Sequence, residues 1–462
     1  MSLDDLPLSP LARSRLLQLG YRHAAELAAV AATDAGRAAL AAALDIEGPL
    51  WSALAPLTPK ASGGLGSLGL DLDALERHSA KARPWRAGPE LRALPVPPAA
   101  TMSALADVPA RHQGPRGTCV AFAACTALAL SRGGGEVLSP QFLYWHLKRM
   151  AGFPQSDGSF ARVALDVLEE VGTCTEATFP YDPTPYEDEG LPVEGSEPTA
   201  QATAEARLRR TGRGLLYSTV WWYPGVDDHW GALAAWLDAL VAEDERPELD
   251  GLHLCRAALS GALGPPPRAL IGSFRVFKSS FAAARVTGRM TLPLPDEPRA
   301  GGHAMAIVGY ADDADWAGGG YLLIRNSWGA GWPLASEDGP GLCRMPYAYA
   351  AGHMVEAGVV VLPGDVLRGV AVEAASASAG CPRCGAAVGS AARFCGSCGA
   401  PLVREAPVPE TPGAALRARH AERLSALRGR LGSPGRGRCV HCGRLPVGRC
   451  RSHPSGEHEP GP

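Results

Sequence analysis

One cysteine is placed where a thiol becomes reactive. Cys119 follows a Gly/Pro-rich turn, Gln113-Gly114-Pro115-Arg116-Gly117-Thr118, and opens an Ala/Leu-rich run to Leu130. The run predicts an apolar helix with Cys119 in its first turn. Unpaired backbone N–H groups and the positive end of the helix dipole meet there. Both favour the thiolate, which is the nucleophilic form. Such a nucleophile needs a base to carry the proton and a third group to orient the base. Both occur downstream. His303 opens an apolar run to Tyr310, and Asn326 closes another that begins at Tyr321. Each run reads as a strand, with turn residues from 311 to 320 between them. A hairpin sets Asn326 beside His303 and turns His303 towards Cys119. The chemistry on offer is thiolate attack on a carbonyl.

Gln113-Gly114 before Cys119, Ala121-Phe122 after it, Gly302-His303-Ala304 and Asn326-Ser327-Trp328-Gly329 resemble the papain family of cysteine peptidases. Leu138-Ser139-Pro140-Gln141, Asp157-Gly158-Ser159, Ala164-Leu165 and Phe179-Pro180-Tyr181 follow in the family's order. The resemblance covers residues 105 to 362. It implies that Cys119 is the nucleophile and that His303 is its ion-pair partner and then the acid to the leaving amine. Asn326 would orient His303. The Gln113 side-chain amide and the Cys119 N–H would form the oxyanion hole, where one donor is worth roughly 3 kcal/mol or more of the barrier. Asp157, Gly158 and Ser159 read as the substrate-binding stretch. Trp328, grouped with them, would shield the Asn326–His303 bond from water. The sequence departs from the family where Arg116 stands in place of a disulfide cysteine, at Val120 in place of Trp, and at Ser159 in place of a second Gly. The Cys-to-His spacing also exceeds the ~130–150 residues of the papain group.

The elements that must hold these residues occupy the middle of a 462-residue chain with 46% hydrophobic residues and a formal net charge of −3. This length suits two or three domains. The charge gives no global basic field for nucleic acid. It is uneven, however: residues 402 to 462 hold eleven Arg, no Lys and five Glu. The N-terminus has neither the basic nor the apolar stretch of a signal peptide, and no run reaches the ~18 apolar residues of a membrane span. Five of the twelve cysteines (119, 125, 174, 255 and 343) lie in the body and seven in the tail. Without an export signal, the body cysteines other than Cys119 read as buried thiols in a reducing, cytoplasmic compartment.

Residues 1–58 read as a small helical module. Ser9-Pro10 starts its first helix and Gly20 stops it; Thr33 caps a later one. Residues 59–104 read as a linker. They include Gly64-Leu65-Gly66-Ser67-Leu68-Gly69, which lacks the preceding strand a dinucleotide site needs. From 186 to 250 the chain reads as an enlarged loop region. It ends in a strand from Leu215 and a cluster of Trp221, Trp222, Trp230 and Trp236, read as core. Gly272-Ser273-Phe274 would begin the β-rich half.

Residues 364–380 read as a second linker. Cys381, Cys384, Cys395 and Cys398 then form two CxxC knuckles. Four soft ligands in two tight turns suit tetrahedral zinc, and the stretch 381–402 resembles a zinc ribbon. Residues 411–432 predict an Arg-rich amphipathic helix. Cys439, Cys442, Cys450 and His453, in 439–453, form a second candidate zinc knuckle, with His441 and His458 as alternative ligands.

The expectation is therefore an α+β, papain-like fold with two lobes, one helical and one β-barrel-like, at 105–363. A helical module precedes it and zinc ribbons follow. The function expected is hydrolysis of peptide bonds in a protein or peptide substrate through an acyl-enzyme. The alternatives are a non-catalytic peptide-binding scaffold on the same fold and a thiol-dependent acyl transferase. Zn2+ would be structural, with no cofactor for catalysis. Protein partners would meet the ribbon and the N-terminal module. Nucleic acid binding by the Arg-rich tail is the lesser reading, and no membrane contact is expected.

Overall fold

The computed structural model describes residues 1–44, 48–58, 94–151, 158–184, 195–218, 248–367, 379–380 and 387–388. The chain divides into two units, Met1–Ala377 and Ser378–Pro462. The fold of the first is α+β, with an antiparallel sheet against helices. Its strands are β1 (Ala99–Thr101), β2 (Leu215–Ser218), β3 (Leu270–Val276), β4 (Gly301–Asp312), β5 (Gly320–Arg325), β6 (Leu342–Pro346) and β7 (Met354–Val359). The order across the sheet is β2-β7-β3-β4-β5-β6, with β1 also on β4.

β4 is the axis of the sheet. Its first half pairs with β3, Phe274 opposite His303 and Ser273 opposite Ala304. Its second half pairs with β1, Thr101 opposite Gly309. A side chain at Gly309 would meet Thr101 Oγ1 at 2.9 Å and Ala100 O at 3.0 Å, so the third strand closes only over a glycine. Asp312 N donates to Pro98 O at 2.7 Å, and the Tyr310 hydroxyl to Pro97 O at 2.8 Å. The Pro-rich stretch assigned to a linker thus ends as part of the sheet. Proline lacks an N–H, but its carbonyl still accepts.

One helix lies against β4. It is apolar on every side and therefore central: Cys119–Ser131, whose members from Cys119 to Ser131 are buried except Thr126. The helices Pro140–Ala151 and Ala161–Glu170 flank it. The second presents Ala161, Ala164, Leu165, Val167 and Leu168 to the core.

The N-terminal helices are α1 (Pro10–Gln18), α2 (Ala24–Val30), α3 (Asp34–Leu44) and α4 (Gly48–Leu54). With these numbers, the central helix is α5 and its flanking pair α6 and α7. Ala200–Ala206 is α8, Glu248–Ser260 α9, Lys278–Thr287 α10 and Tyr347–His353 α11. Ser9 caps α1 through Ala12 N, and Thr33 Oγ1 receives Gly36 N at 3.0 Å. The module packs on α10: Leu16, Tyr21, Leu27 and Leu40 share one buried cluster with Ala283 and Leu294. Leu292 N donates to Leu19 O at 2.8 Å. Glu26, wholly buried, accepts from Arg22 N, His23 N and the Thr287 hydroxyl at 2.7, 3.0 and 2.9 Å.

In the second unit, β8 (Ala379–Gly380) pairs antiparallel with β9 (Ala387–Val388). The two strands bracket Cys381 and Cys384 in the sequence. No single helix among the described residues is long and apolar enough to cross a membrane. Cys125, Cys174, Cys255 and Cys343 are buried free thiols. Burial pushes Cys174 and Cys255 up to about 12, and Cys125 and Cys343 further.

Candidate active site

Cys119 is the first residue of α5, and its side chain is wholly buried. Thr118 holds the capping position, but its hydroxyl does not cap the helix. It lies 2.8 Å from the Tyr181 hydroxyl instead. The first-turn N–H groups therefore keep their field on Cys119 without a side-chain oxygen to quench it. Ala304 N, on β4, donates to Cys119 Sγ at 3.4 Å. This contact puts the sulfur against the strand residue next to His303, across 185 positions of sequence.

β4 and β5 pair with Ala306 opposite Arg325. This register carries Asn326, one residue beyond β5, alongside His303. His303 Nε2 lies 2.7 Å from Asn326 Oδ1. The same oxygen accepts from Ser327 N at 2.7 Å, which identifies it as the carbonyl end of the amide. Nε2 therefore carries the proton and Nδ1 keeps its lone pair. Nδ1 is buried and, among the described residues, has no hydrogen-bond partner. Burial pulls His303 down to about 4, against the raising effect of the Asn326 bond. An isolated His303 is thus neutral near pH 7 and poised to accept a proton.

Trp328 stacks on His303, ring centres 4.9 Å apart, and Phe281 on α10 closes the wall at 5.6 Å from Trp328 and 6.4 Å from His303.

Gln113 is wholly buried. Its N–H donates to Ser327 O and its Nε2 to Arg116 O, both at 2.8 Å. Its Oε1 accepts from the Ser327 hydroxyl. With Oε1 held, the amide N–H groups point to the turn that leads into Cys119. The residue after Asn326 thus orients both the histidine's partner and the glutamine. Arg116, 3% exposed, donates to Gln141 Oε1 at 2.7 Å and to Asp182 O, and lies over the rings of Tyr144 and Tyr181 at 5.3 and 5.4 Å. Arg116, at the position where the resemblance has a disulfide cysteine, thus ties this turn to Asp182.

Gly158 and Ser159 precede α7, and Gly158 has φ 89°. Gly158 N donates to Tyr144 Oη at 3.2 Å, and Lys148 Nζ donates to Gly158 O at 2.7 Å. Both partners lie on α6, one turn apart. The Ser159 hydroxyl is buried with no partner among the described residues. A cross-strand row, Ala304–Ser273–Glu356, runs from beside Cys119 towards α7. There Glu356 Oε2 accepts from Ser273 Oγ and Ala161 N at 3.2 and 3.0 Å.

Gln113, Cys119, His303, Asn326 and Trp328 therefore meet at one place. Asp157 lies outside the described residues, as do Trp221, Trp222, Trp230, Trp236 and the 411–432 stretch. So do Cys381, Cys384, Cys395, Cys398, Cys439, Cys442, Cys450 and His453. Phe281, Ser327 and Tyr181 were not anticipated in these roles. Phe179-Pro180-Tyr181 stood out as a motif, but nothing local to it points to a turn some sixty residues away.

A zinc-ribbon domain model matches residues 381–402, spanning Cys381, Cys384, Cys395 and Cys398. No curated protein matches the chain. Solved structures similar to it are cysteine proteases. Xylellain of Xylella fastidiosa is 20% identical, covering 66% of this chain and 99% of that one, at TM-score 0.45. Procathepsin L 3 of Tenebrio molitor is 15% identical over 63% and 79% of the two chains, at 0.37. The bromelain protease of Ananas comosus, in complex with the E64 inhibitor, is 16% identical over 58% and 100%, at 0.36. All three scores lie below 0.5, so the functional reading rests on this chain's own geometry. In fold the chain resembles the papain-like cysteine proteases, and it carries a zinc-ribbon domain near its C-terminus.

Proposed function

We propose that the chain is a cysteine peptidase. The observation that carries this reading is the convergence of Cys119 Sγ on Ala304 N, beside a His303 whose Nε2 is committed to Asn326 and whose Nδ1 is not. Such a histidine can take the thiol proton as the sulfur attacks a peptide carbonyl. The new S–C bond forms while the carbonyl π pair moves to oxygen. The Gln113 amide and the Cys119 N–H stabilise that oxyanion. The C–N bond then breaks, His303 gives its proton to the leaving amine, and water hydrolyses the acyl-enzyme with His303 again as base.

The Gly158–Ser159 segment is the substrate-facing stretch in this reading, supporting a protein or peptide substrate. The free buried thiols suit a reducing compartment, and a cytoplasmic location follows. Zinc belongs to the second unit. Four thiolates in two CxxC pairs match its preference for soft tetrahedral ligands, so Cys381, Cys384, Cys395 and Cys398 would hold it for folding, not catalysis. Cys439, Cys442, Cys450 and His453 form the second proposed set. The ribbon and the helical N-terminal module are the proposed contacts for protein partners.

The test is labelling of the full chain by an epoxide-type cysteine-peptidase probe, with peptide mapping. Labelling should fall on Cys119, disappear in Cys119→Ala and drop sharply in His303→Ala. Cys119→Ala should also lack peptide hydrolysis. Full hydrolysis in that variant would refute the reading, and product masses distinguish hydrolysis from acyl transfer to an amine.

A further inference from the structure

The two proposed oxyanion donors are six positions apart in sequence, on a turn rich in glycine. Donors of this kind work only if their spacing is set before the charge develops. One side chain spans the turn. The Tyr181 hydroxyl donates to Gln113 O at 2.6 Å and lies 2.8 Å from Thr118 Oγ1. A phenol has one proton. With that proton on the Gln113 carbonyl, the Thr118 hydroxyl must be the donor in the second bond. One oxygen thus links the backbone of Gln113 to the residue immediately before Cys119.

Tyr181 is itself held. Its ring packs edge-on against Phe122, the fourth residue of α5, with centres 4.8 Å apart. Its N–H donates to Glu176 Oε1 at 3.0 Å, and that carboxylate pairs with Arg111 at 2.7 Å. Arg116, inside the turn, lies over the same ring at 5.4 Å from its centre. The cost of diverting Thr118 is visible: an uncapped α5, where a threonine could have capped it. A cap of that kind is worth ~1 kcal/mol, so an arrangement that forgoes it calls for another use of the hydroxyl.

We propose that Tyr181 is a positioning residue for the oxyanion hole, its hydroxyl setting the distance between the Gln113 amide and the Cys119 N–H. This rests on the cysteine-peptidase reading and adds a residue to it. In this role Tyr181 acts through Gln113 and Thr118.

Two reactions of the same sulfur separate this role from general support of the fold. Iodoacetamide alkylation forms an S–C bond and expels iodide, and no oxyanion develops. A peptide aldehyde adds to the thiol reversibly: an S–C bond forms, the carbonyl π pair moves to oxygen and the oxygen takes up a proton. Its oxygen occupies the place of the oxyanion.

The experiment compares wild type, Tyr181→Phe, Thr118→Val and Thr118→Ser in the full chain. Tyr181→Phe removes a single oxygen. It should weaken peptide-aldehyde binding and lower kcat/KM for a peptide amide by about tenfold. The alkylation rate of Cys119 and its pH profile should stay within about twofold of wild type. Thr118→Val should follow Tyr181→Phe, and Thr118→Ser, which keeps the hydroxyl, should restore wild-type behaviour. Equal losses in alkylation and aldehyde binding would overturn the proposal, as would unchanged aldehyde binding. If the wild type binds the aldehyde without hydrolysing peptides, and Tyr181→Phe weakens that binding, the positioning role stands and the peptidase reading falls. If the wild type does neither, both fall.

Discussion

The indole of Trp328 lies over the imidazole of His303, with centres 4.9 Å apart and planes 31° from parallel. On the proposed reading it screens the Nε2–Asn326 hydrogen bond from water. A hydrogen bond open to competing water contributes less than a buried one. Trp328→Ala should therefore loosen His303 more than it disturbs substrate binding. The expected result is a kcat lower by about tenfold, or ~1.4 kcal/mol, with KM changed less. Steady-state kinetics on one peptide substrate would check it, and an unchanged kcat would remove Trp328 from the machinery.

Arg116 should behave as a structural tie. Replacing it with Met keeps much of the volume but removes the donor to buried Gln141 Oε1. A buried acceptor left without a partner costs about 1–3 kcal/mol. Denaturant unfolding of Arg116→Met should show a loss of this order. Because no disulfide joins the described cysteines, wild-type stability should be the same with and without a thiol reductant. A midpoint that falls on reduction would contradict the buried-thiol assignment.

Acid should destabilise the fold in a defined window. Burial lowers His146, His303 and His353 from 6.5 to about 4 each. The unfolded chain thus binds protons at these sites more strongly than the folded one. Their stability contribution is fully present above about pH 6.5 and is lost as the pH falls towards 4. Glu169 and Glu356, whose carboxyls burial pushes up, act in the opposite sense as the pH rises through the carboxylate range. Urea midpoints should drop between pH 6.5 and 4, and His146→Phe should flatten part of the drop. A midpoint independent of pH across that window would count against the buried neutral histidines.

The N-terminal module should remain attached in the active protein. It shares a buried cluster with Ala283 and Leu294, and α10 also carries Phe281 against His303 and Trp328. Glu26→Ala would leave the Arg22 and His23 N–H groups and the Thr287 hydroxyl without their common acceptor. A destabilisation of about 2–4 kcal/mol is expected from the summed loss. Intact mass of probe-labelled protein should include residues 1–58. Labelled material that lacks them would make the module a removable pro-segment.

Zinc should be found with the full chain at about one or two ions per molecule. Cys381→Ser combined with Cys384→Ser should remove about one of them and leave probe labelling of Cys119 intact. Metal content measured by mass spectrometry is the readout, and an unchanged zinc content would refute the ribbon ligands.

The meeting of Cys119, His303 and Asn326 was legible in the sequence because their local elements are. A Gly/Pro turn before an apolar run places Cys119 at a helix start, and two apolar runs around a turn place His303 near Asn326. Strand period and hairpin geometry are short-range properties, so residue types report them. The ribbon was legible for the same reason, since each CxxC pair is a local turn. Tertiary structure decided what depends on contacts between distant segments. It brought Ala304 N to Cys119 Sγ and buried His303. It tied Arg116 to Gln141 and Asp182, set Tyr181 across the Gln113–Thr118 turn, and joined the N-terminal helices to α10. None of these has a signature of its own in the sequence. A buried tyrosine hydroxyl and a buried arginine acquire their roles only from the groups that close packing leaves in need of a partner.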